Sequence, residues 1–352
     1  MSKAYRFLSL DGDGIGPDIM SSCLDVLEAV RPSLSRDVIV QKMDIGLKSL
    51  DEKGTTISDE VIAAAKASDG ILLGPVSHND YPPVEEGGLN PSGVLRKQCG
   101  LYANIRPAKR WPGCPAPLDK PIDMVVMREN LEGFYADRNM HSGNGEFMPV
   151  PDVALSMRRI TKQASLNIAH AAFAWADRRP VKKVTAIHKA NVMRLSDGLF
   201  LEAVRSVAQE YPQIHYDEML VDAAAAHLIR SPEAFDVMVT TNMFGDILSD
   251  LASEISGSLG LAGSLNAGKD YAAAQAQHGS APDIAGQDKA NPVSMILSLS
   301  MLLHHLGEVT AAEKIEEAVA KMLSSPQTRT ADLGGVLGCS AFTSGLIRHL
   351  SF

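Results

Sequence analysis

Apolar and polar positions along the chain switch between two periods. Short runs rich in Val, Ile, Leu and Met read as strands: Tyr5–Leu10, "DVIVQKM" (37–43), "GILLGPV" (70–76), "PIDMVVM" (121–127), "VKKVTAI" (181–187), "IHYDEML" (214–220) and "FDVMVTT" (235–241). Between them apolar residues recur at helical spacing, as over 19–30 and 59–67, and each of the last three strands is followed by such a pattern. Strand–helix alternation from end to end predicts an α/β fold, with strands buried in a sheet and helices covering its faces. "SHNDYPPVEEGGLNPSG" (77–93) predicts a loop. The turn-rich stretch 136–152 predicts an excursion: a hairpin arm, a contact between subunits or a plain surface loop. No internal repeat or low-complexity block interrupts the pattern.

A length of 352 residues suggests about two domains with ample core. The net charge of -9 argues against a bulk nucleic-acid or anionic-membrane partner, though a local basic pocket for an acidic metabolite is compatible with it. No apolar run reaches membrane-spanning length, and "MSKAYRFLSL" lacks the features of a signal peptide, so a cytoplasmic protein is expected. Cys23, Cys99, Cys114 and Cys339 are far apart, which fits free thiols better than a disulfide scaffold or a zinc site.

Candidate chemistry begins with "LDGDGIGPDIM" (10–20). Gly12, Gly14 and Gly16 follow the first strand and precede a helix. A Rossmann fingerprint needs G-x-G-x-x-G, and position 17 is proline, so this loop does not match it. More informative are the strand ends, where open α/β sheets bind ligands. Lys189 follows "VKKVTAIH", Asp222 follows "IHYDEML", and Asp246 and Asp250 follow "FDVMVTT". Asp246 and Asp250, four apart, share a helix face opposite Ile247, Leu248, Leu251, Ala252 and Ile255. Two like charges at that spacing repel unless a cation lies between them, and Mg²⁺ commonly uses one or two carboxylates plus substrate oxygens. An acidic turn complementing the helix dipole is the plainer alternative. Arg96, Arg106 and Arg128 are forked donors suited to carboxylates, although any one of them could be a solvated charge.

In order along the chain stand "DGDGIGP" (11–17), "LRK" and "LYANIRP" (95–107), "RENLEGFY" (128–135), "HKANVM" (188–193), "VTTNMFGDILSDLAS" (239–253) and "HGSAPDIAGQDKANP" (278–292). Together these strings resemble the β-decarboxylating dehydrogenases, which include isocitrate, homoisocitrate, 3-isopropylmalate, D-malate and tartrate dehydrogenases. The resemblance covers nearly the whole chain. It implies a two-domain isocitrate/isopropylmalate dehydrogenase-like fold, not a Rossmann fold, with the active-site cleft between the domains. Residues 1–104 plus 257–352 would form a large cofactor-binding domain, and 105–256 a small domain with a dimer-forming arm near 136–155. A homodimer with active sites shared across the interface is expected.

The resemblance also implies roles. Arg96, Arg106 and Arg128 match the arginines that hold substrate carboxylates. Asp222, Asp246 and Asp250 match the Mg²⁺ or Mn²⁺ ligands, the first usually given by the other protomer. Lys189 matches the lysine that removes the 2-hydroxyl proton, also across the dimer, and Tyr135 the acid that protonates carbon after CO2 leaves. A lysine is a poor base at its free pKa of about 10.4, so nearby positive charge would have to lower it. The cofactor loop matches His278, Gly279, Ser280, Ala281, Pro282, Asp283 and Ile284, with Asn291 beyond it. A carboxylate at Asp283 suits both ribose hydroxyls and repels a 2′-phosphate, which points to NAD.

Two features depart from or refine the pattern. Gln275 stands where the family usually has a glutamate, three residues before the loop histidine, which puts cofactor affinity or domain closure in question. Before Arg96, Asn90 and Ser92 occupy positions where isopropylmalate enzymes place bulky leucines, and polar side chains there fit a polar C3 substituent. The expectation is NAD- and Mg²⁺/Mn²⁺-dependent oxidative decarboxylation of a (2R)-2-hydroxy acid with a 3-carboxylate, isocitrate-like first, with 3-isopropylmalate or D-malate/tartrate as alternatives. A non-catalytic regulatory subunit is the rival of another class.

Overall fold

The computed structural model describes residues 4–350, and the chain divides into two compact units. The first comprises 1–100, 110–117 and 257–352; the second 101–109 and 118–256. Twelve strands occur among the described residues. In chain order they are β1 (Tyr5–Leu10), β2 (Val38–Met43), β3 (Gly70–Leu73), β4 (Ala103–Lys109), β5 (Asp123–Glu129), β6 (Glu146–Val150), β7 (Val153–Ser156), β8 (Lys183–His188), β9 (His215–Leu220), β10 (Val237–Thr240), β11 (Gly263–Ala267) and β12 (Ala272–Ala276).

In the first unit the strands lie in the order β2-β1-β3-β12-β11. The first four are parallel neighbours, and β11 turns back antiparallel on β12. The helix Val293–His305 is apolar on nearly every side because it lies buried on β11 and β12. The loop after β1 is built by close backbone approach. Gly12 and Gly14 have φ of +76° and +56°, a region that side chains disfavour. A Cβ on Gly12 would meet Pro75 O at 2.1 Å, and one on Gly14 would meet Ser280 O at 2.0 Å. The glycines let this loop nest against the segments after β3 and β12, the backbone N–H of Ile15 donating to Ser280 O at 2.8 Å.

In the second unit the order is β4-β5-β10-β8-β9, with β4 antiparallel to β5 and the others parallel. Strands β5, β8 and β10 are almost wholly buried, as their unbroken apolar runs require. Register aligns the strand ends: Thr240 lies beside both Arg128 and Ile187, and His188 beside Leu220. The residues that follow each strand therefore emerge along one edge. The helix Asn242–Ser256 packs Leu248, Ala252 and Ile255 into a core with Met124, Val126, Ile187 and Met238. Ile247, expected on this apolar face, is instead 61% exposed. It lies three and four positions from Asp250 and Leu251, at the flank of the buried arc rather than within it. The excursion that begins at 136 runs past 152 through the antiparallel hairpin β6–β7, every strand residue of which is exposed.

All four cysteines are buried free thiols. No helix among the described residues is long and apolar enough to cross a membrane.

The nested loop yields a prediction. Gly14→Ala should cost about 2–4 kcal/mol, from backbone strain and the clash with a carbonyl that cannot move cheaply. It would appear as a lowered midpoint of thermal unfolding. An unchanged midpoint would contradict the close approach.

Candidate active site

In the second unit, Arg128 is the next-to-last residue of β5, with its side chain only 2% exposed. Its Nε donates to Asn242 Oδ1 at 2.9 Å, Nη2 to the Tyr135 hydroxyl at 2.8 Å, and Nη1 to Asp246 Oδ1. Room for it exists because residue 245 is glycine: a Cβ there would lie 2.6 Å from the Arg128 Cβ. Tyr135 donates in turn to Asp246 Oδ2 at 3.1 Å. Arg106, on β4 and 7% exposed, donates through Nη1 to Ser249 Oγ at 2.7 Å and faces Asp250 Oδ1 at 3.1 Å and Asp246 Oδ1 at 3.4 Å. The cation between the two aspartates is thus Arg106.

These environments set protonation. Burial, together with the Arg128 charge, lowers Arg106 to about 10, so it stays cationic at neutral pH. Burial raises the Tyr135 phenol above its ordinary value, outweighing the opposing pull of Arg128, so it remains a proton donor. The Nε of Arg106 is buried with no acceptor among the described residues, an orphaned donor that a carboxylate would satisfy.

Lys189 and Asp222 follow the neighbouring ends of β8 and β9 and pair with each other, Nζ to Oδ1, at 2.5 Å. The Lys189 hydrogen bond holds Asp222 below the usual carboxylate range. Asp222 is therefore not gathered with Asp246 and Asp250 in one chain. Among the described residues no three His, Cys, Asp or Glu side chains cluster as a metal site. Asp246 and Asp250 remain 41% and 51% exposed, and two carboxylates are a donor set that fits a hard divalent ion completing its shell with substrate oxygens.

Sequence reasoning missed what fixes Lys189. Asp197 is fully buried, accepts the Lys189 backbone N–H at 2.5 Å, and pairs with Arg158. Arg158 also donates to Thr241 Oγ1 at 2.9 Å, just before the helix that carries Asp246. An aspartate in the first turn of Ser196–Ala208 looks like a dipole residue in the sequence, and nothing local reveals its distant arginine.

The first unit holds the remaining candidates. Asn90 caps the helix Pro91–Gln98, its Oδ1 accepting from Gly93 N at 3.1 Å. Ser92 is buried and donates to Gln275 Oε1 at 3.1 Å, and Arg96 Nη2 donates to the same atom at 3.3 Å. In the loop 278–284, Ser280 is buried against Ser77, Oγ to Oγ at 2.7 Å. Ala281 adopts a left-handed φ of +37°, Gly279 has open space at its Cβ position, and Pro282–Ile284 form a short turn that leaves Asp283 exposed. His278 has its Nε2 buried without a partner among the described residues. Burial lowers its pKa and favours neutral imidazole. Asn291 is used structurally, bonding Asp332 at 2.9 Å and Val293 N at 3.0 Å. Asp13, inside the glycine loop, accepts from Leu47 N at 2.8 Å, Ser77 N at 2.9 Å and the Tyr81 hydroxyl. Ser77, held by Asp13, and Ile15 of the glycine loop both bond Ser280 among the cofactor-loop candidates.

Known proteins resemble this chain along nearly its whole length. The isocitrate/isopropylmalate dehydrogenase family model matches residues 7–346. The chain is 41% identical over 351 residues to a mitochondrial regulatory subunit of the NAD isocitrate dehydrogenase of Dictyostelium discoideum, covering 99% of this chain and 93% of that one. It is 40% identical over 339 residues to the 3-isopropylmalate dehydrogenase of Archaeoglobus fulgidus, covering 96% and 97%. The crystal structure of isocitrate dehydrogenase from Methylococcus capsulatus superposes with a TM-score of 0.89 at 36% identity, over 98% of this chain and 99% of that one.

One buried acid beside the site gives a pH prediction. Glu129 accepts from the backbone N–H of Leu131 and Glu132, yet burial pushes its carboxyl up to about 7. The folded state therefore holds this proton more tightly than the unfolded chain. The resulting stability is present at low pH and is lost as pH rises from the ordinary carboxyl value of 4.5 to about 7. Glu129→Gln cannot titrate. Relative to wild type it should gain on the order of 2–3 kcal/mol between about pH 4.5 and pH 8, read from denaturant unfolding at both. Parallel pH dependence of the two proteins would contradict the raised carboxyl.

Proposed function

The chain belongs to the isocitrate/isopropylmalate dehydrogenase family of decarboxylating dehydrogenases, and from that premise we propose that it oxidatively decarboxylates an isocitrate-like (2R)-2-hydroxy acid with NAD and Mg²⁺ or Mn²⁺. The observation that carries the reading is the meeting of Asp246 with Arg106, Arg128 and Tyr135. Two buried guanidiniums beside half-exposed carboxylates form a place where an acid with two carboxylates and a divalent cation satisfy each other's charge.

A bound NAD would supply a hydride acceptor and a bound divalent ion a Lewis acid for the substrate oxygens. Arg106 and Arg128 hold substrate carboxylates, with Arg96 assigned the same task by the resemblance. Asp246 and Asp250 would hold the ion, with Asp222 and its partner Lys189 supplied by a second copy of the chain. Lys189 would take the proton of the substrate hydroxyl. Tyr135, kept protonated by burial, returns a proton to carbon once CO2 has departed. Asp283, exposed at its turn, accepts from both ribose hydroxyls of NAD and would repel a 2′-phosphate.

The preference for a polar C3 substituent over the isopropyl group of 3-isopropylmalate or the smaller malate and tartrate draws on the sequence positions of Asn90 and Ser92, of which Asn90 caps its helix and Ser92 donates to Gln275. The rival reading, a regulatory subunit, draws on the name of the Dictyostelium relative; the retained Lys189, Tyr135, arginines and aspartates favour catalysis. A homodimer is part of the proposal. The hairpin exposes Phe147, Met148, Val150, Val153 and Leu155, while Ile247 and the 91%-exposed Leu195 add apolar surface in the same unit. A two-stranded hairpin is marginal alone and gains stability when covered.

NADH formation with Mn²⁺, across isocitrate, homoisocitrate, 3-isopropylmalate, D-malate and tartrate, should give its strongest signal with isocitrate or homoisocitrate. Lys189→Ala should fold and lose about 100-fold or more in kcat, the scale of a positioned general base. Silence of the wild type across the panel, or full activity of Lys189→Ala, would overturn the reading. Asp283→Ala should cut the NAD-over-NADP preference in kcat/KM by tenfold or more; an unmoved preference would remove Asp283 from the ribose.

A further inference from the structure

We propose that Gln275 is the positioning residue for Arg96 and Ser92, and that position 275 needs an acceptor oxygen there rather than a negative charge. The inference rests on Arg96 binding the substrate, as proposed above. It moves position 275 from the cofactor side to the substrate side.

Gln275 lies on β12, opposite Ser264 on β11 and beside Leu73 on β3. Its backbone is held firmly, the carbonyl accepting from Ser264 Oγ at 2.8 Å and Ser298 Oγ at 3.0 Å. The side chain therefore projects from a fixed point. Three donors converge on its Oε1: Ser92 Oγ at 3.1 Å, Arg96 Nη2 at 3.3 Å and Asn266 Nδ2 at 3.3 Å. Ser92 and Asn266 are buried. Ser92 and Arg96, four residues apart, share a face of the helix Pro91–Gln98, whose start is fixed by the Asn90 cap. One oxygen on a strand thus fastens both side chains on that face. None of the described side-chain bonds of Gln275 reaches residues 278–284.

The chemistry explains why an amide serves. A carbonyl oxygen offers two lone pairs, enough to gather these donors with one shared contact. A carboxylate would keep the acceptors, and its added charge is not needed to gather the three donors. The amide supplies the same acceptor oxygen without that charge. Removing the oxygen takes an acceptor from three donors at once, two of them buried, and lets Arg96 leave the orientation it presents to an acid.

The test compares Gln275→Leu, which keeps the bulk and loses the acceptor, with Gln275→Glu, which keeps an acceptor. Affinity for isocitrate in the presence of Mn²⁺ is measured by calorimetry, and NADH affinity by fluorescence. Wild-type and variant KM and kcat are measured beside them. Gln275→Leu should bind the acid about tenfold more weakly and raise its KM by a similar factor. Its NADH affinity should stay within twofold and its kcat within threefold. Gln275→Glu should bring acid affinity back to within threefold of wild type. Gln275→Ala carries the same expectation if the leucine variant fails to fold.

Unchanged acid affinity in Gln275→Leu would overturn the proposal. So would an equal loss of NADH affinity, which would return the residue to the cofactor side, or a glutamate variant as weak as the leucine one. Calorimetry does not depend on turnover. A wild type that binds the acid without producing NADH would defeat the catalytic reading while leaving this ratio measurable. A wild type that binds no acid would overturn both.

Discussion

Asp246 accepts from Arg128, faces Arg106 and receives the Tyr135 hydroxyl, and the second unit is organised around that carboxylate. A guanidinium as buried as Arg128 is costly unless its charge is met and its donors are bonded. Here the neutralising groups stand on one helix, Asn242–Ser256, and the cations on two adjacent strands, β4 and β5. The same helix drives Leu248, Ala252 and Ile255 into the core. Hydrophobic burial thus sets the helix against the sheet, and the ion pairs fix which residues face the opening. The arginines and aspartates satisfy each other's charge, which offsets the cost of burying the guanidiniums.

Much of this was legible in the chain. The aligned ends of β5, β8 and β10 follow from unbroken apolar runs, whereas Asp222, after the more polar β9, pairs with Lys189 rather than joining Asp246 and Asp250. The pairing of Asp246 with Asp250 was legible from spacing alone. Strands β4, β11 and β12 were not. "GSLNA" and "AAAQA" lack the β-branched and aromatic residues that mark strands, and they are strands because neighbouring strands and the helix Val293–His305 enclose them. In β4 the proline and arginine of "ANIRPAK" hide the pattern.

Long-range polar partnerships were equally hidden. Arg158 and Asp197 are 39 residues apart, and Gln275 lies 179 residues from Arg96. Local propensity has no access to such pairs. The glycine loop shows the reverse case. Its glycines do not match the dinucleotide-binding fingerprint, and its observed work is packing: Gly14 admits the Ser280 carbonyl, and Asp13 ties three segments together. A similar economy holds for Asn90, which the chain spends on capping the helix that carries Arg96.

If the Asp246 carboxylate is where cation and acid come together, ion binding should depend on it before any turnover. Titrating Mn²⁺ into the protein with isocitrate present, and following the free-ion electron spin resonance signal, reads this directly. Wild type should bind the ion with an affinity that isocitrate strengthens. Asp246→Asn, which keeps the shape and an acceptor for Arg128, should bind it at least tenfold more weakly with its circular dichroism unchanged. Equal Mn²⁺ binding by the two proteins would contradict the role given to Asp246.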